Sequence, residues 1–244
     1  MAPNPTRAAD PPGPLVWTLA EPPGRPATSL SRPAILAAAL AVADAEGARA
    51  LTMRRVATEL GSSTPMSLYR YVGSKDGLVD LMLDAVYGEV GLPDRPSGDW
   101  RADLEPLTRQ TWAVIQRHLW FGELVHTRPP LGPNALRYFD FRFAALESEG
   151  LDADTMTRIT AAIDSHLIGS ALQLAEESQM RQRTGLVTDE QLQAAAEPFL
   201  APILGSGRYP AFARWARGRT AAGAAGQFDY TLGCLLDGIA ASLG

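Results

Sequence analysis

Five basic side chains crowd into one short stretch of this chain. Residues 49–75 carry Arg49, Arg54, Arg55, Arg70 and Lys75 against Glu59 alone, a local charge of +4. Tyr69 and Tyr71 lie among them. Cations beside phenol rings are the groups that hold phosphates and pack on a polyanion. Residues 81–244 carry 14 basic and 20 acidic side chains, so the cluster stands on an acidic body in a chain of net charge −5. A cluster of this size also suits an ordinary solvated face. Lys75 is the only lysine among 22 basic residues. It follows Ser74 at a helix start, where backbone N–H groups also favour an anion.

Such side chains need a scaffold. From residue 31 onward Ala and Leu dominate, and no short window alternates β-branched residues, so the expected fold class is all-α. Ser31 caps a first helix over 31–47, with Pro33 in its first turn and Gly47 at its end. Thr52 caps a second, which buries Met53, Val56, Ala57 and Leu60. Thr64 caps a third, with Pro65 at its first position. Leu68 and Val72, four apart, face inward, which leaves Met66, Ser67, Tyr69, Arg70 and Tyr71 outward. Gly73 stops that helix, and Ser74 caps a fourth from Lys75 to about residue 90. Two short helices joined by a tight glycine turn have helix-turn-helix spacing, in which one helix braces another in the major groove of duplex DNA. A three-helix core with no ligand has the same spacing.

Residues 1–30 hold eight of the 19 prolines and read as an extended, mobile arm. Trp17 is its one sticky side chain. Arg25, within Gly-Arg-Pro, suits a narrow minor groove, although a plain linker explains the Gly and Pro equally well. The expected domains are this arm, a DNA-binding head over 31–90, and a helical body over 91–244 with helices near 100–119, 134–149, 153–182, 190–204 and 227–243. One cysteine, Cys234, rules out an intramolecular disulfide and is expected as a small buried residue. No apolar stretch approaches about 18 residues, so no membrane span is expected. The N-terminal residues lack the apolar run of a secretory signal, so a cytoplasmic protein is expected. G-x-S-x-G, G-x-G-x-x-G after a strand, H-E-x-x-H and the P-loop are all missing, so neither an enzyme, nor a cofactor, nor a metal is expected.

Residues 31–90 resemble the DNA-binding domain of the TetR (tetracycline repressor) family. The segments that carry the likeness are AILAAALAVADAEG, LTMRRVATELG and SLYRYVGSKDGLVDLM. The resemblance implies an N-terminal three-helix helix-turn-helix DNA-binding domain and a C-terminal helical ligand-binding and dimerisation domain. It implies Tyr69 and Tyr71 on the DNA backbone or bases, Lys75 and Thr52 on phosphates, Arg54 on a base edge, and Arg55 and Arg70 on phosphates. The turn before Leu68 is a residue longer than the commonest family pattern. That leaves open which of Thr64, Pro65, Met66 and Ser67 heads into the groove.

Residues 91–244 are similar to the effector-binding body of the same family, through RPPLGPNALRYFDF and FDYTLGCLLDGIAASL. The function implied is a sequence-specific transcriptional regulator at the bacterial nucleoid: a repressor released from a palindromic operator by a small apolar or aromatic effector. A helical protein–protein adaptor without sequence-specific DNA binding is the alternative. A two-fold operator needs a homodimer. Ala161, Ala162, Ser165, Gly169 and Leu172, with Phe228, Leu232, Leu235, Leu236, Ile239 and Leu243, offer stripes for its interface, part of each also serving the chain's own core. Trp112, Trp120, Phe121, Tyr138 and Phe139, with His118 and His166, are the candidates for an effector pocket, from a supply that also holds Phe141, Phe143 and His126. Gly91 stands where a drug-binding histidine of the fourth helix would align, so tetracycline is not carried over as effector. The fourth helix is the expected route of the signal.

Overall fold

The computed structural model describes residues 15–20, 30–61, 64–125, 130–218 and 224–243. Every regular element among them is helical. In chain order these are α1 (Arg32–Glu46), α2 (Met53–Glu59), α3 (Pro65–Val72), α4 (Lys75–Gly88), α5 (Trp100–Arg117), α6 (Phe121–Leu124), α7 (Pro133–Glu147), α8 (Ala153–Thr184), α9 (Asp189–Gly205), α10 (Pro210–Gly218) and α11 (Ala224–Leu243), with single turns of 3-10 helix at Val16–Thr18 and Ala48–Ala50. They form two compact units. One takes the described residues of Met1–Pro96 with Ala113–Ala144, the other Ser97–Trp112 with those of Ala145–Gly244. Arg25 and His126 lie outside the described residues.

In the first unit α1 packs on α2, α3 and α4. The Ser31 hydroxyl accepts from the Ala34 amide, Thr52 from Arg55 and Ser74 from Gly77, so three of the four starts are capped as their residue types require. Thr64 makes no such bond; the Ser67 hydroxyl instead donates back to its carbonyl at 2.7 Å. Gly73 ends α3 at φ +74, a left-handed value that glycine adopts without strain.

Within the segment expected as an arm, residues 15–20 are a packed element. Val16 is 1% exposed and the turn lies on α4. Leu19 Cδ1 comes within 2.7 Å of where a Cβ on Gly73 would stand. Arg32 ties the pieces together, donating from Nη2 to the Leu19 carbonyl and from Nε to the Tyr71 carbonyl, each at 3.1 Å. The cause is local: Val16 and Leu19 are apolar and three apart, and one turn buries Val16 and half-buries Leu19.

A second long-range lock involves Asp84 on α4, which is almost fully buried. Its carboxylate accepts from the Ala135 amide at 2.9 Å and from Asn134 Nδ2 at 3.0 Å, so it caps the start of α7 from another helix. A Cβ on Gly132 would stand 2.1 Å from this carboxylate, so the close approach needs glycine. Burial pushes the Asp84 carboxyl above its ordinary range, and the bonds from Ala135 and Asn134 oppose that rise.

In the second unit α11 packs on α8. Arg101 and Arg109 of α5 pair with Asp237 and Asp229 of α11 at 2.7 and 2.8 Å. Phe228, Leu232, Leu236 and Ile239, expected at an interface between copies, are instead buried in the core of their own chain. Their spacing of four, four and three keeps them on one face of α11, and α8 covers it. Leu235, Ala162 and Leu172 are half-buried and Gly169 is exposed. Cys234, expected buried, is exposed, because it sits on the face of α11 opposite that stripe. The helices α6 and α10 were not expected.

Replacing Asp84 with Ala leaves the α7 amides without their acceptor and should cost about 2–3 kcal/mol of unfolding free energy. The folded carboxyl binds its proton more tightly than the unfolded one, so protonation favours the native state and stability from this group rises as pH falls through the folded value. Relative to Asp84→Asn, the wild type should therefore gain stability between neutral pH and about pH 4, as read by urea unfolding.

Candidate nucleic-acid interface and effector site

The chemistry of the first unit gathers around α3. Leu68 and Val72 are 0% and 1% exposed and anchor it. Met66 is 75% and Tyr69 39% exposed; Thr64 and Arg70 also face solvent, and Ser67 is half-buried. Lys75, the first residue of α4, and Thr52 and Arg54, at the start of α2, are exposed as well. Tyr71 differs from expectation. It is buried with Leu68, because three residues along a helix return nearly to the same side. Arg55 differs too. It pairs with Glu46 at 2.7 Å and Glu59 at 2.9 Å, and the bonds from Glu46 and then Glu59 raise its guanidinium above the ordinary value. Its charge is spent within the head.

The seven side chains expected to form a pocket divide between the two units. Trp120, Phe121 and Tyr138 are buried in the first, Phe139 is half-buried there, and Tyr87 packs its ring against Phe121, Tyr138 and Phe139 at 5.1–5.7 Å. His118 is held at both nitrogens. Nδ1 lies 2.8 Å from Asp44 Oδ1 and Nε2 lies 3.0 Å from Glu89 Oε1. The Trp120 indole N–H donates to the same Asp44 oxygen at 2.6 Å, and Arg117 donates to Glu89 at 2.7 Å. This clamp joins the end of α1 to the end of α4, and it leaves neither ring nitrogen of His118 to a ligand. Partial burial alone would raise the Glu89 carboxyl; the bonds from Arg117 and His118 overcome that and hold it below its ordinary range.

Trp112 and His166 lie in the second unit and meet at a cavity of about 420 Å³ between α5, α8 and α11. Phe228 stacks on Trp112 at 4.6 Å and on His166 at 4.7 Å. Ser170, Gln173 and Thr231 add polar groups to the wall. The cavity suits a small molecule in size and in its mix of rings and hydrogen-bonding groups. Sequence reasoning missed Asp84, Asp44, Glu89 and this role for Phe228, because each partner is far away along the chain.

Comparison with known proteins places this geometry. Residues 35–82 match the family model described as bacterial regulatory proteins, tetR family, and residues 92–243 match the tetracyclin repressor-like C-terminal domain. The HTH-type transcriptional repressor DrrR1 of Streptomyces coeruleorubidus is 40% identical over 201 residues, 82% of this chain and 74% of that one. The chain belongs to the TetR family. An HTH-type transcriptional regulator of Saccharopolyspora erythraea is 37% identical over 155 residues, 64% of this chain and 65% of that protein. The Streptomyces coelicolor TetR family protein ActR in complex with actinorhodin is 26% identical, with a TM-score of 0.73 over 89% of this chain and 98% of ActR. This TetR-family chain is a DNA-binding transcriptional repressor, not an enzyme. No helix among the described residues is long and apolar enough to cross a membrane.

The depressed Glu89 carboxyl contributes stability above its unfolded value, and that contribution is lost as pH falls through the folded one. The stability difference between wild type and Glu89→Gln should therefore shrink between neutral pH and about pH 4, as read by denaturant midpoints. An unchanged difference would mean the clamp adds nothing to the native state.

Proposed function

We propose that two copies of this chain grip a pseudo-palindromic operator, each through the head over 31–90, while the body over 91–244 joins the copies and takes the effector. The observation that carries this reading is the outward face of α3, with Met66, Tyr69 and Arg70 exposed beside Arg54 and Lys75. Thr64, Ser67 and Thr52 flank that face. Lys75 holds a phosphate, where the first amides of α4 add to the attraction. Arg70 and Thr52 position the head on the backbone, and Arg54 reads a base edge. A two-fold reader sets its two α3 helices one duplex turn apart, roughly 34–36 Å.

The faces left for a second copy are the exposed side of α11, with Tyr230, Cys234, Gly238 and Ala241, and of α8, with Ala161, Ser165 and Gly169. Half-buried Ala162, Leu172 and Leu235 border them. The effector enters the cavity at Trp112 and His166. A regulator of this kind works in the cytoplasm, at the bacterial nucleoid.

Selection of bound fragments from random DNA at moderate salt should return one palindromic sequence. Affinity for it should fall with salt at a log–log slope of about −0.9 per phosphate neutralised. Lys75→Ala should weaken every DNA sequence alike. Arg54→Ala should weaken the operator selectively by about 5- to 100-fold; an equal loss on random DNA would remove the base-reading role. Salt-insensitive binding with no enriched sequence would favour the adaptor instead.

A further inference from the structure

We propose that the cavity between α5, α8 and α11 takes a neutral, flat, fused-ring aromatic ligand with ring carbonyl or phenol oxygens, one of which accepts the Trp112 indole N–H. This rests on the reading of the body as the effector-binding domain and gives that effector a chemical class.

The walls supply the first argument. Trp112, Phe228 and His166 form a column of near-parallel rings, with interplanar angles of 9° and 18° along it. Trp112 and His166 end the column and both line the cavity, and aromatic edges and faces there favour a flat partner. The volume of about 420 Å³ is at the smaller end of ligand sites, the size for about three fused rings.

Hydrogen-bond accounting gives the second argument. Trp112 is 6% exposed, and its Nε1–H is buried with no acceptor among the described residues. Buried indole N–H groups normally find one. Elsewhere on the wall, Thr231 Oγ1 lies 3.3 Å from His166 Nε2 and donates to the Gln227 carbonyl at 2.8 Å, so these two groups already answer each other. A plain hydrocarbon would fill the space and leave the N–H unpaired. A carbonyl or phenol oxygen on the rim of the ring system removes that defect.

Charge gives the third. Among the described residues no lysine or arginine lines the cavity, so an anionic ligand finds no counter-charge from them. The one carboxylate that lines it among the described residues, Glu177, is already bonded to Arg181 at 2.5 Å, so a cationic ligand finds no unpaired partner there. A neutral ligand fits both facts.

The test titrates the purified full-length chain with 1,8-dihydroxyanthraquinone by calorimetry. The wild type should bind with a dissociation constant on the order of 1–10 µM. Trp112→Phe keeps a stacking ring but removes the N–H, and should weaken binding about 3- to 10-fold. Ser170→Leu projects bulk from α8 into the cavity and should abolish it. Thermal melts report whether each variant folds; if Ser170→Leu does not, Trp112→Phe decides alone. No saturable binding by wild type up to about 100 µM, or unchanged affinity in Trp112→Phe, overturns the proposal. Wild-type binding to the selected operator, measured on the same preparation, separates the two readings. Operator binding without quinone binding sinks this inference alone. Quinone binding without operator binding sinks the regulator assignment of the head and leaves this site standing.

Discussion

An eight-residue helix cannot hold itself in water, and α3 is eight residues long. Isolated helices shorter than about 12–15 residues are marginal even in favourable sequences. What holds α3 is the burial of Leu68, Tyr71 and Val72 against neighbouring helices. Gly73 turns the chain out of it, Ser74 caps the next helix, and Arg32 fastens its last turn through the Tyr71 carbonyl. The direction of every outward residue follows from this inward set. Tyr69 and Arg70 face solvent because Leu68 and Val72 do not.

The same geometry divides the charge. Arg54 and Arg55 are neighbours in sequence but point about 100° apart on α2. One faces solvent; the other is neutralised between Glu46 and Glu59. The positive face of the head is therefore narrower than the composition of residues 49–75 implies. With Arg55 committed internally, phosphate attraction falls on fewer side chains, and the register set by α3 matters more to recognition than bulk charge.

Much of this was legible in the sequence, for reasons that can be named. Helix starts were readable at Ser31, Thr52 and Ser74, since each hydroxyl answers a local need three residues on. Leu68 and Val72 were readable from period alone. Tyr71 was not, because a tyrosine beside arginines suits a wet surface as well as an apolar stripe, and only the packing of α3 decides. Phe228, Leu232, Leu236 and Ile239 gave a clear face, but periodicity does not say whether the covering helix comes from the same chain. The remaining errors are matters of distance. Asp84 meets α7 about 50 residues later and Asp44 meets His118 and Trp120 over 70 residues away, so no local pattern marks them. The turn at residues 15–20 was hidden by prolines on both sides of Val16 and Leu19.

The proposed cavity also bears on how a ligand could act, because tight binding alone does nothing to an operator complex. A ligand shifts an equilibrium only by the difference in its affinity for the two arrangements. Coupling energies between sites are typically about 1–3 kcal/mol. Leaving one buried donor unpaired costs about 1–3 kcal/mol, the same range. A single hydrogen bond to Trp112, made in one arrangement of α5, α8 and α11 and broken in the other, is therefore large enough to serve as the switch. Ring contact with Trp112 or His166, the ends of the column, is less selective, because apolar contact tolerates small displacements. On this accounting the flat rings supply affinity and the rim oxygen supplies the response, so a hydrocarbon of the same outline would occupy the cavity and leave the operator bound.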